Sequence, residues 1–170
     1  MLYGINTVNS WMAEHLTKHA MPLPTATRQV FLVEKNSGDI ALARRAITRA
    51  GFAVHLEVLQ TTDALINTLT SQDPQTEVDL VLIDLNLPED GAFKLARWLR
   101  KNSVTLHTPI VMISSMNLES DILRSYESGA SSVIQKPAAF TDYACMLKDV
   151  FSYWLNISLM PHYNFIKQVN

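Results

Sequence analysis

Five short apolar runs, each followed by a stretch of helical periodicity, constrain this chain more than any other feature. The runs are VFLV (30–33), VHLEVL (54–59), DLVLID (79–84), PIVMI (109–113) and SSVIQ (131–135). After the first, SGDIALARRAITRA sets Ile40, Ala43, Ile47 and Ala50 on one face, and Gly51 follows as a stop. Thr61 and Thr62 can cap a helix with Leu65, Ile66 and Leu69. The third run leads through LPEDG into a helix carrying Phe93, Leu95, Ala96, Trp98 and Leu99. Asn117 or Ser115 is expected to open a fourth helix with Ile122, Leu123 and Tyr126, closed by Gly129. The last helix carries Tyr143, Leu147, Val150, Phe151, Trp154 and Leu155. Such alternation implies parallel βαβ units with right-handed crossovers. The first, third and fourth runs are continuously apolar, as central strands covered on both faces are. The second alternates, as a strand at the sheet margin does. The expected fold class is α/β, a doubly wound five-stranded parallel sheet.

A chain of 170 residues holds one such domain with extra sequence at its ends. Its hydrophobic fraction of 48% and charged fraction of 18% are those of a compact soluble protein. Net charge is −2, from 14 basic and 16 acidic residues, which points to neither a nucleic-acid partner nor a membrane surface. One cysteine, Cys145, cannot form an internal disulfide and sits in an apolar helix, where it is expected in the core. No apolar run spans a membrane and no signal-peptide pattern opens the chain, so the expected location is cytoplasmic. His55 and His107 lack metal-ligand spacing and read as surface or strand-end residues.

Residues 1–28 read as an N-terminal extension. Val8, Trp11, Met12 and Leu16 fit a short amphipathic helix, and MPLPT (21–25) fits an extended linker. Residues 29–155 form the expected domain and 156–170 a C-terminal tail.

Ligand sites in doubly wound sheets lie beyond the carboxyl ends of the strands. Those ends carry Glu34-Lys35-Asn36, Asp84, Ser114-Ser115 and Lys136-Pro137. An acid, a hydroxyl and an ammonium therefore converge on one carboxylate, Asp84. A carboxylate so placed can attack phosphorus, and the oxygens of the resulting acyl phosphate need fixed counter-charge, which Ser114 and Lys136 can supply.

VFLVEKN, VLIDLNLPEDG, VMISS and GASSVIQKP, in this order on alternating units, resemble the receiver domain of two-component response regulators. The LIDLNLP stretch and the FSYWL close are most similar to the single-domain regulators that serve phytochrome-type kinases. The resemblance covers roughly Gln29 to Leu155 and implies a flavodoxin-like (βα)5 fold. It implies a signalling protein in a phosphorelay, not an enzyme, with a sensor histidine kinase as partner. It also implies a homodimer formed on the face of the fourth helix, fifth strand and last helix. Asp84 then matches the phosphoacceptor, Ser114 the switch hydroxyl, and Lys136 the lysine that pairs with the phosphoryl group. Lys136 is followed by a proline that the family usually holds in cis. Asn86 matches a position whose carbonyl helps hold Mg2+, and Glu34 the first residue of the acidic pair, so Glu34, Asp84 and Asn86 are the implied metal set. Glu34 paired with a lysine, without metal, is the competing reading.

Two residues depart from the family. Lys35 stands where a carboxylate usually binds Mg2+ directly. At roughly 4 Å and an effective dielectric of about 20, the two cations repel by about 8 kcal/mol. A quarter of that, allowing for a flexible side chain, is still roughly 30-fold in affinity. Magnesium is therefore expected to bind weakly. Either Lys35 pairs with Asp84 and partly replaces the metal in a slow site, or that pair locks a phosphorylation-independent interaction module. Val133 replaces the aromatic residue often found three positions before the lysine, which weakens the usual coupling to the last helix. Output is expected as a protein contact through the last helix, with Tyr143, Trp154 and Leu155.

Overall fold

The computed structural model describes residues 27–72, 77–116 and 118–159. The amphipathic segment and linker expected within residues 1–26 lie outside the described residues, as does most of the C-terminal tail. Strands β1 (Arg28–Val33), β2 (Val54–Leu59), β3 (Leu80–Asp84), β4 (Ile110–Ser114) and β5 (Ser132–Gln135) form one parallel sheet. Their order is β2-β1-β3-β4-β5. The alternating second run is thus an edge strand, as its pattern predicts. Helices α1 (Ser37–Ala50), α2 (Thr62–Ser71), α3 (Gly91–Leu99), α4 (Glu119–Glu127) and α5 (Phe140–Phe151) connect or follow the strands. A π-type turn over Ser152–Ile157 closes the last helix.

The pleat divides the core in two. Val30, Leu32, Leu80, Leu82, Val111 and Ile113 face α1 and α5, where Ala43, Ile47, Tyr143, Leu147 and Phe151 meet them. Phe31, Val33, Val81, Ile83 and Met112 face α2 and α3, packing on Leu65, Leu69, Leu95 and Leu99. Alternate residues of one strand therefore feed opposite layers, which is why the central runs are apolar throughout. The Asn36 side chain accepts from the Gly38 and Asp39 amides to start α1, and Gly51 ends it at φ 69. The Thr61 hydroxyl accepts from Ala64 N to start α2.

Helix α4 departs from its expected form. Leu118 occupies its N-cap position without a side-chain cap, so Ser115 does not open it, and Asn117 lies outside the described residues. Leu123 and Tyr126 are exposed, and the buried residue is the small Ser125. Its hydroxyl donates to the Asp121 carbonyl one turn back, which satisfies a polar group that would otherwise be costly to bury. Helix α5 differs in a second way. Tyr143, Leu147, Phe151 and Leu155 form one buried stripe, so Tyr143 and Leu155 serve the core and not an outward contact; Trp154 is half-buried. Cys145 falls off that stripe and is exposed, contrary to its expected place in the core. His55 and His107 are both exposed. Among the described residues no helix is long and apolar enough to cross a membrane.

Candidate functional site

The parallel register aligns the strand ends. Asp84 pairs with Ile113 and Ser114 with Gln135, and the Lys136 amide donates to the Ser114 carbonyl at 2.7 Å. Glu34 follows β1, Asp84 and Ser114 end β3 and β4, and Lys136 follows β5, so four of the expected residues lie along one edge of the sheet. Glu34, Asp84 and Ser114 are buried.

Lys136 is the centre of the charge arrangement. Its Nζ donates to Glu34 Oε2 at 2.8 Å and to Asp39 Oδ2 at 2.7 Å, and lies 3.6 Å from Asp84 Oδ2. Burial pulls the ammonium toward neutrality, but hydrogen bonds to Asp39 and Glu34, with the charge of Asp84, more than offset this. Its pKa is raised above the ordinary lysine value. Burial raises the Glu34 carboxyl above 4.5; the bonds from Lys136 and the Asn36 amide offset part of that, and the adjacent Asp84 carboxylate adds to it. Tyr143 lies behind the ammonium, its ring centroid 5.9 Å from Nζ, and burial first of all pushes its phenol up to about 12.

Asp84 Oδ1 accepts from the Asn86 amide at 2.9 Å, and the exposed Asn86 side chain donates to Ser115 Oγ at 3.1 Å. The Ser114 hydroxyl donates to the Met116 carbonyl and accepts from the Met116 amide at 3.2 Å, so it is folded into its own loop. Val133 pairs with Met112 in the sheet and is half-buried against the α2–α3 layer.

Two expectations fail here. Lys35 is exposed, and among the described residues it makes no ion pair with Asp84, whose neighbouring cation is Lys136. Successive side chains of an extended chain point opposite ways, so with Glu34 turned inward Lys35 turns to water, where its ammonium is well solvated. The bond before Pro137 is trans, since no described peptide bond is cis.

Asp39 was missed in the sequence. It lies in the first turn of α1, and the Lys136 that it holds is 97 residues away, so no local pattern links the two.

The residues present fit a magnesium ion poorly: Glu34 already accepts from the Lys136 ammonium, and the position where a carboxylate usually binds the metal directly carries the exposed Lys35. No group of three His, Cys, Asp or Glu side chains among the described residues is arranged to hold a metal ion.

The matching family model, the response regulator receiver domain, aligns with residues 30–148, and the chain belongs to that family of two-component signalling proteins. The chain is 25% identical over 134 residues to a probable methanogenesis regulatory protein, FilR2, of Methanothrix harundinacea, covering 78% of this chain and 86% of that one. It is 26% identical over 113 residues to the polar-differentiation response regulator DivK of Brucella ovis, covering 65% and 85%. Among solved structures, a phosphorylated cyanobacterial phytochrome response regulator, RcpA, superposes with a TM-score of 0.73 at 24% identity, covering 80% of this chain and 99% of that one. The manganese-bound response regulator Rcp1 gives 0.70 at 23%, covering 79% and 99%. A response regulator from Hahella chejuensis gives 0.70 at 30%, covering 76% and 96%. Receiver domains interact with histidine kinases and bind Mg2+ or Mn2+.

Proposed function

We propose that this receiver takes a phosphoryl group on Asp84 from a histidine kinase, slowly, and signals through protein contacts. The observation that carries the reading is the position of Lys136, whose ammonium lies 3.6 Å from Asp84 Oδ2 while Lys35 faces solvent. The nucleophile is therefore not blocked by the odd cation of the acidic corner. In the transfer, an Asp84 oxygen forms a bond to phosphorus as the P–N bond of the phosphohistidine breaks, and the nitrogen leaves with the electron pair. Lys136 then pairs with a phosphoryl oxygen, and Ser114 turns from Met116 to donate to another. Glu34, Asp84 and Asn86 would be the weak metal-facing set. Domain boundaries near residues 29 and 155, a cytoplasmic location and a homodimer belong to the same reading.

A second reading, a phosphorylation-independent interaction module, is favoured by one observation: position 35 offers a cation where a metal-binding carboxylate is needed. Incubation with acetyl phosphate, with and without Mg2+, followed by intact-mass measurement, separates the two. One added phosphoryl group supports the first reading, and none under any condition supports the second.

A further inference from the structure

Three carboxylates surround Lys136, and one of them comes from outside the strand ends. Asp39 sits in the first turn of α1, fixed there by the Asn36 side chain, which accepts from the Gly38 amide at 2.8 Å and the Asp39 amide at 3.2 Å. Its carboxylate is the shortest contact of the Lys136 ammonium. We infer that Asp39 is the second acid of this site and a positioning residue, gripping Lys136 together with Glu34 so that the ammonium stops short of a hydrogen bond to Asp84.

An ammonium has three N–H donors. One goes to Glu34 at 2.8 Å and one to Asp39 at 2.7 Å; these two bonds fix the ammonium where its Nζ is 3.6 Å from Asp84 Oδ2, beyond hydrogen-bond length for the third N–H. The distinction matters for a nucleophile. A carboxylate oxygen bonded to an ammonium has one lone pair engaged and is a weaker nucleophile, whereas one a short way off keeps its lone pairs free and still feels the positive charge. From this place Lys136 also reaches the oxygens of any group carried on Asp84. Removing the Asp39 charge leaves Glu34 alone to hold Lys136, so the ammonium opens to water and gives a less fixed counter-charge beside Asp84. Asp39 takes no part in making or breaking bonds. The grip itself stands on the geometry; its effect on reactivity rests on the proposed role of Asp84.

The test uses the full chain, 15N-labelled, in three forms: parent, Asp39→Asn and Asp39→Glu. The 1H–15N correlation of the Lys136 ammonium reports its exchange with water, and intact mass reports phosphate uptake from acetyl phosphate. The parent is expected to show a protected ammonium. In Asp39→Asn, exchange accelerates and uptake slows, each by about tenfold, the worth of one charged hydrogen bond. In Asp39→Glu both return most of the way, which a purely structural role for the side chain would not produce. An ammonium in Asp39→Asn as protected as in the parent overturns the inference, and so does a parent ammonium that exchanges as fast as a surface lysine's. If the parent takes up no phosphate at all, the reading of Asp84 fails, while the ammonium measurement still decides the role of Asp39.

Discussion

Lys136 and Asp84 form an ion pair at 3.6 Å without a hydrogen bond, the ammonium being fixed in place by its bonds to Glu34 and Asp39. This single relationship places a counter-charge beside the nucleophile and leaves the nucleophile's oxygen unclaimed by it.

Removing that ammonium leaves Glu34, Asp39 and Asp84 as neighbouring carboxylates with no cation among them. Lys136→Met is expected to destabilise the fold by about 3 kcal/mol at neutral pH. Without the ammonium, the Glu34 carboxyl, raised by burial, loses the Lys136 bond that lowers it and titrates higher still. The deficit is therefore full above that raised value and shrinks as pH falls through it. Urea unfolding of parent and variant between acid and neutral pH measures the convergence. A deficit that stays constant with pH contradicts the assignment.

Glu34 carries its own pH signature. Its carboxyl is raised above 4.5, mainly by burial, so its ionisation weakens the fold. The contribution is most favourable below 4.5 and is lost as pH rises through the raised value, with a slope of at most about 1.4 kcal/mol per pH unit. Thermal unfolding of Glu34→Gln against the parent is expected to show a gap that moves in the variant's favour as pH rises from 4.5. A gap moving the other way would show that Lys136 outweighs burial.

Much of this architecture is legible in the sequence. The five apolar runs became the five strands, and Gly51 and Thr61 bound their helices as their chemistry requires. What was hidden has local causes. Helix α4 hangs on one small residue, Ser125, so Leu123 and Tyr126 read as core but lie outside. Cys145 lies two residues from both Tyr143 and Leu147, on the side of the helix away from the buried stripe. Asp39 went unread, because the lysine that it holds is remote in sequence, and no local pattern links the two.

Lys35 now reads as a solvent-facing cation beside the strand-end carboxylates. Lys35→Asp removes a positive charge and returns a hard oxygen donor, and is expected to raise Mg2+ affinity on the order of tenfold or more. Isothermal titration with MgCl2 checks this. Equal affinity in parent and variant would remove the electrostatic account of the departure.

At the opposite edge of the sheet, Gly129 has φ 101, and a Cβ there would lie 2.5 Å from Arg100 Cγ. Arg100 cannot readily yield: its Nε donates to the Gly129 carbonyl at 2.8 Å and its Nη1 to the Thr108 carbonyl at 2.7 Å. Gly129→Ala is expected to cost about 2–3 kcal/mol through strain and clash together. Calorimetry is expected to show a melting point lowered by roughly 5–10 °C. An unchanged melting point would mean that the loop can rearrange.

The most direct test of the account is a time course of intact mass for the parent and Asp84→Asn with acetyl phosphate and Mg2+. The account predicts slow addition of one phosphoryl group to the parent and none to Asp84→Asn. A parent that never gains the phosphoryl group, or an Asp84→Asn variant that gains it equally, contradicts Asp84 as the acceptor.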